Sequence, residues 1–279
     1  MSYVLCCVDG ENYSQSACDY AVMISNNMQL PLKFLNIIEH SSKSSKLDLS
    51  GNIKLGEKDD ILNELTQEES NRSKLIIKEG KELLTSLKER ALTSCENEIT
   101  ILQVHGEVLE NILEFQNKIS ILVIGIKSNP EHKIGENVKE IIRELHKPVL
   151  LVNSEFKLPR KILIAYNGSE ESKNLLKEIS SNPIFKDVTR DVVNINEDKL
   201  LSEKLLKEAK EIYAKQNIEV TTSVLSGDSK NEILNYLKQN DCDILAMGAF
   251  GHSRIKEFIF GSVTSNILEE IKKPILLFR

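Results

Sequence analysis

Two hundred seventy-nine residues, at roughly 150 per domain, make about two domains, enough chain to bury two ordinary cores. Hydrophobic residues at 41% and charged residues at 28% match a soluble globular average and exclude a wholly disordered or collagen-like chain. With 5% aromatics, no Trp and a net charge of -6, the chain has neither a stacking platform for single-stranded nucleic acid nor a global field that draws it to nucleic acid or an anionic membrane.

The chain opens with Tyr3-Val4-Leu5-Cys6-Cys7-Val8-Asp9-Gly10. Its apolar run is short and meets a carboxylate, so it reads as a first strand rather than a signal peptide. No apolar stretch approaches the roughly eighteen residues of a membrane span, and the expectation is a cytoplasmic protein. The five cysteines are odd in number with no CxxC, which suits small buried hydrophobes in a reducing compartment. Cys6 and Cys7 are adjacent on a strand and point to opposite faces, which argues against a redox pair. A helix follows, with Ala17, Ala21, Ile24 and Met28 on one face. A second strand contains Asn36-Ile37. Residues 40–73 then form an insertion that opens with Ser41-Ser42-Lys43-Ser44-Ser45-Lys46. Asp59 to Glu69 suits a short helix, and the segment as a whole reads as a mobile surface loop, with a lid or a partner contact as the alternative.

The rest of the chain repeats what came before. The opening strand recurs as Ile162-Leu163-Ile164-Ala165-Tyr166-Asn167-Gly168, and Asn36-Ile37 as Asn194-Ile195. Ile121-Leu122-Val123-Ile124-Gly125 matches Ile244-Leu245-Ala246-Met247-Gly248, and Lys147-Pro148-Val149-Leu150-Leu151 matches Lys273-Pro274-Ile275-Leu276-Leu277. Two copies of one domain result, 1–156 and 157–279, with the seam in the polar stretch Asn153 to Pro159. In the second copy Leu201, Leu205, Ala209, Ile212 and Tyr213 predict one helix face. Strands apolar on both faces, separated by helices, predict a parallel α/β sheet of five strands in each copy.

The chemistry concentrates after the strand ending at Met247. Gly248-Ala249-Phe250-Gly251 is followed nine residues later by Gly261-Ser262-Val263-Thr264, at the start of a helix running to Lys272. The loop therefore leaves the carboxyl end of a parallel strand, where open α/β sheets bind ligands. Glycines let main-chain N–H groups converge on phosphate oxygens, and Ser262 and Thr264 add hydroxyl donors at a helix start. Neither a Walker loop nor a GxGxxG fingerprint occurs. The five histidines are scattered, which predicts no metal site, and no Ser-His-Asp set or placed general base supports a dedicated hydrolase. Asp241-Cys242-Asp243 reads as a turn capping the preceding helix.

The spacing Gly-x2-Gly-x9-Gly-Ser resembles the ATP-binding motif of the universal stress protein family, and so do the opening strand ending in Asp-Gly and the closing Lys-Pro-(Val/Ile)-Leu-Leu. The resemblance implies two tandem Rossmann-like domains of the adenine nucleotide alpha hydrolase-like type, each with strand order 3-2-1-4-5. It implies phosphate contacts at Gly248, Gly251, His252, Ser253, Gly261, Ser262 and Val263. Adenine would meet Ala165, Asn167 and Ile195, with Met247 packing nearby. Mg²⁺ would be held through the phosphates and Ser262. The family usually has Asp where this copy has Asn167; an amide both donates and accepts, so it still suits a base edge.

The first copy keeps Asp9 but reads Gly125-Ile126-Lys127-Ser128, then a shorter run to Gly135-Glu136. A carboxylate in place of the hydroxyl repels phosphate and itself occupies the helix N-terminus. This copy reads as a partner domain without the usual nucleotide loop. The resemblance also implies that the final strands of the two copies pair across a two-fold axis, here within one chain; further dimerisation is left open. The functional expectation is an ATP-binding regulatory protein of stress adaptation. Slow ATP hydrolysis or autophosphorylation near Ser262 or Thr264, and an interaction scaffold without nucleotide, are the alternatives.

Overall fold

Val4, Leu5 and Cys6 are buried in succession, as are Ile162, Leu163 and Ile164. A strand whose two faces are both apolar needs cover on both sides, and helices supply it here. A computed structural model of the chain describes residues 2–10, 13–39, 55–126, 135–249, 267 and 270–279; residues 55–69 are described by their backbone alone. The first half runs β1 (Tyr3–Cys7), α1 (Ser14–Met28), β2 (Leu32–Ile38), α2 (Leu55–Leu92), β3 (Ile99–His105), α3 (Val108–Phe115), β4 (Ile119–Gly125), α4 (Glu136–Glu144) and β5 (Val149–Val152). The second runs β6 (Lys161–Ala165), α5 (Glu170–Ser181), β7 (Thr189–Ile195), α6 (Lys199–Ala214), β8 (Thr221–Leu225), α7 (Ser229–Gln239), β9 (Ile244–Gly248) and β10 (Ile275–Phe278).

The strands form one sheet of ten, ordered β3-β2-β1-β4-β5-β10-β9-β6-β7-β8. Each half therefore has the expected order 3-2-1-4-5, and every pairing inside a half is parallel. The halves join through an antiparallel pair, with Leu276 opposite Leu150 and Ile275 opposite Leu151. This closes two apolar edges that would otherwise present unpaired N–H and C=O groups. Two apolar clusters, one on each face of the sheet, run through both halves. The core is thus divided by the sheet and not by the seam.

Two expectations need correction. Residues 55–73 are helical and continue directly into the packed part of α2, whereas a mobile loop with a short helix was expected for 40–73; residues 40–54 lie outside the described residues. Extending a helix that is already nucleated and packed needs no new nucleus, and Leu, Glu and Lys propagate it well. On α6 the buried face holds Ser202, Leu206, Ala209 and Tyr213, while Leu201 is 41% exposed. The face is rotated because Ser202 points inward and donates to Asn194 Oδ1 at 2.6 Å.

The seam is anchored by a residue read from sequence as a helix cap. Asp243 accepts from Lys157 Nζ at 2.6 Å and from the N–H groups of Arg160 and Lys161 at 2.8 and 3.3 Å. Tyr20 of α1 donates to the Lys157 carbonyl at 3.0 Å and packs edge-on against Phe156. Lys273 of the Lys-Pro pair donates to the Cys242 carbonyl. Among the described residues, no helix is long and apolar enough to cross a membrane.

Candidate functional site

In the second half, β6 leads through α5 to β7 on one side, while β9 lies on the other side of β6. β6 and β9 end side by side at this switch in strand order, the position at which open α/β sheets bind ligands. Ala165 pairs with Met247 across this boundary. On the other flank Ala165 pairs with Val193, so Ile195 extends two residues further, level with Asn167. Ala165 and Ile195 are half-buried against the apolar cluster that includes Met247. The structure thus brings Ala165, Asn167, Ile195, Met247 and Gly248 to one edge. Gly251, His252, Ser253, Gly261, Ser262, Val263 and Thr264 lie outside the described residues.

The turn after β6 is built locally. Gly168 has φ +77°, a left-handed conformation suited to glycine, and Leu205 approaches its would-be Cβ at 2.6 Å. Asn167 is exposed, and its Oδ1 accepts from the Ser169 N–H at 3.0 Å. Only the oxygen of an amide accepts, so this bond orients the side chain. Nδ2 remains a donor and Oδ1 keeps a second lone pair, so the amide can still both donate and accept, as the sequence suggested. Ser169 caps α5 by accepting from the Ser172 N–H at 3.3 Å, and Glu170 and Glu171 occupy the first turn. With a cap in place and two carboxylates beside it, the α5 N-terminus does not suit a phosphate.

A buried asparagine supports this turn. Asn194, 2% exposed, donates from Nδ2 to the Tyr166 carbonyl at 2.7 Å and accepts at Oδ1 from Ser202. Asn36 does the same in the first half, donating to the Val8 carbonyl at 2.9 Å and accepting from Gln103 Nε2 at 3.1 Å. The recurrence of Asn-Ile marked these residues in the sequence; their role as struts under the β1 and β6 loops was not legible there.

Gly248 has a structural reason of its own. A Cβ there would lie 3.0 Å from the Ser172 nitrogen and 3.1 Å from Glu171 Cβ. Gly125 is alike, with the Tyr13 carbonyl carbon and oxygen both at 3.1 Å. Glycine stands at both positions because α1 and α5 begin against the ends of β4 and β9. The Ala249 N–H bonds to the Phe278 carbonyl at 2.8 Å.

The matching edge of the first half differs. Asn137, in the first turn of α4, donates to Glu39 Oε1 at 2.7 Å, which ties the α4 start to the end of β2. Glu136 sits in that first turn and pairs with Lys139 at 2.8 Å. Ser14 donates to Asp9 at 3.3 Å. Carboxylates from three segments share this edge. Burial pushes the nearby Cys6 thiol well up, and Cys7 to about 12 with the Asp9 charge adding to the effect, which disfavours the reactive thiolate. Among the described residues no group of three or more His, Cys, Asp or Glu is placed to hold a metal ion.

Comparison with known proteins gives consistent results. A model of the universal stress protein family matches residues 1–153 and 183–279. The chain is similar to the universal stress protein Slr1230 of Synechocystis sp., 25% identical over 287 residues and covering all of both chains. Universal stress protein YxiE of Bacillus subtilis is 32% identical over 84 residues, which is 30% of this chain and 57% of that one. A crystal structure of a universal stress protein from Archaeoglobus fulgidus superposes with a TM-score of 0.67 at 15% identity, over 99% of this chain and 96% of that one, and so shares the fold.

Proposed function

The chain belongs to the universal stress protein family, and on that premise we propose that its second half is a receptor for ATP, whose binding sets a regulatory state in stress adaptation. One observation carries this reading. The motif Gly248-x2-Gly251-x9-Gly261-Ser262 leaves the sheet at the end of β9, beside the switch in strand order where the β6 turn also ends. In this reading Ala165, Ile195 and Met247 form an apolar floor for the base, and Asn167 Nδ2 donates to a ring acceptor. The phosphates lie on the main chain from Gly251 onward, with His252, Ser253, Gly261, Ser262, Val263 and Thr264 around them. Mg²⁺ is held by the phosphates and Ser262.

The first half, 1–156, serves as the structural partner of 157–279. Its Glu39–Asn137 tie joins the end of β2 to the start of α4, and its Glu136 carboxylate opposes a polyphosphate. Isothermal titration of the purified full chain with Mg-ATP tests the assignment. Saturable binding at one site per chain is expected; no binding at millimolar ATP overturns it.

A further inference from the structure

The nucleotide reading concerns the carboxyl ends of the strands. A cleft of about 470 Å³ lies at the other end of the second half, where β7 begins. It is walled by the last turn of α5, the α5–β7 connection and the turn after α6. That connection is longer than its counterpart: α5 reaches β7 through residues 182–188, whereas α1 reaches β2 through residues 29–31. The volume falls in the range of small-molecule sites. One lining residue, Arg190, departs from the repeat. Arg190 pairs with Ile162 as Leu32 pairs with Val4, so the two stand at the same place in the two halves. Leu32 is fully buried in the apolar core, and Arg190 is half-buried. The guanidinium donates to the Val188 and Phe185 carbonyls at 2.6 and 2.8 Å and lies over the Tyr213 ring, 6.0 Å from its centre. These contacts fix its position without neutralising it, and among the described residues it has no carboxylate partner. A half-buried cation held by neutral groups suits an incoming carboxylate.

The same cleft holds groups of the opposite sign. Asp187 and Glu219 line it, both exposed, and neither forms an ion pair among the described residues. The end of α5 adds an acceptor. The Asn182 N–H is bonded to the Glu178 carbonyl, and Pro183 has no N–H, so the Ile179 carbonyl has no donor within its helix. The carboxyl end of a helix also favours a cation. Apolar surface comes from Val188, which is buried, and from Ile218, which packs against the core. A simple anion would be opposed by the two carboxylates, and a simple amine by Arg190 and the exposed Lys186 beside it. A ligand bearing both charges meets neither objection.

We infer that this cleft binds a small zwitterion, a free amino acid with an apolar side chain. Its carboxylate lies on Arg190, its ammonium on Asp187, Glu219 and the Ile179 carbonyl, and its side chain on Val188 and Ile218. The site is separate from the glycine loop and does not rest on the nucleotide reading.

Isothermal titration of the full chain with L-leucine, without nucleotide, tests this. Saturable binding at one site per chain is expected. 4-Methylpentanoate and isoamylamine each keep one charge of leucine and should bind about tenfold or more weakly. Two variants give a second reading. Arg190→Leu copies the residue of the first half, and Asp187→Asn with Glu219→Gln alters exposed side chains alone. Each should weaken leucine binding about tenfold or more, and the exposed pair should leave the thermal midpoint without ligand unchanged. No binding at high millimolar leucine, either analogue binding as tightly as leucine, or binding indifferent to the exposed pair overturns the inference.

Discussion

Asn194 Nδ2 donates to the Tyr166 carbonyl across 2.7 Å in a site that is 2% exposed. Asn36 and Val8 repeat the bond at 2.9 Å in the other half. The two halves complete the asparagine differently. On α6, Ser202 supplies a hydroxyl to Asn194; on α2, Gly80 leaves a gap through which Gln103 of β3 reaches Asn36. A common strut is thus satisfied from a helix in one half and from a strand in the other.

Asn194→Asp sets a carboxylate against the Tyr166 carbonyl, two acceptors in a buried site. Urea unfolding should show a loss of about 2 kcal/mol at neutral pH. ATP affinity should fall as well, because the turn carrying Asn167 loses its support. Unchanged stability would mean that the strut has no energetic role.

Gly80→Ala ought to stabilise an ordinary helix by up to about 1 kcal/mol. Here its Cβ would lie 2.3 Å from Gln103 Nε2 and 2.4 Å from Asn36 Oδ1. The clash wins, and a net loss of about 1–3 kcal/mol is expected. Gly80→Ser combined with Gln103→Ala copies the arrangement of the second half and should recover most of that loss. Thermal unfolding of the three variants checks both statements.

Asp243 governs part of the acid limb of stability. Burial pushes its carboxyl up, but the hydrogen bonds from Lys157 and the Arg160 and Lys161 N–H groups outweigh this and hold it below its ordinary 3.8. A carboxyl depressed on folding contributes stability above its unfolded value, and the contribution is lost as pH falls through the folded value. Asp243→Asn should therefore be less stable than the parent at pH 7, by about 1–2 kcal/mol. The difference should shrink as pH falls below about 4. Denaturant unfolding across pH 2 to 7 measures it; a constant gap sinks the assignment.

Gly261→Asp and Gly248→Ala separate ligand binding from packing. The first puts a carboxylate in the proposed phosphate site and should abolish ATP binding while the thermal midpoint without ligand hardly moves. The second forces a Cβ against the Ser172 nitrogen and should lower stability by about 1–3 kcal/mol. Titration calorimetry and thermal melts on the same preparations distinguish the two. Equal melting losses for both would contradict the division of roles.

Asn167 shows the limit of reading a site from sequence. Its type and its place after β6 were legible, because strand periodicity and the internal repeat locate the end of the strand. Its orientation was not, because that depends on Ser169 offering an N–H at 3.0 Å. Gly248 is a similar case. As part of a motif it reads as a phosphate ligand, and its packing role appears only when α5 is seen against it. The persistence of Gly125 in the copy that lacks the rest of the motif was the available signal.

By itself the sequence determined a duplicated α/β architecture of parallel strands, which follows from periodicity and from the repeat, both written locally in the chain. The strand order within each half and the pairing of the closing strands were expected only from the family resemblance, and the register that sets Leu150 opposite Leu276 was decided by the tertiary structure. Tertiary structure alone decided that Asp243 anchors the seam, that Gly80 makes room for Gln103 and that residues 55–73 are helical and continuous with the packed part of α2. Asp243 with Arg160, and Asn36 with Gln103, lie 83 and 67 positions apart. Partners so distant meet only after the sheet has formed, so local pattern carries no record of which will touch.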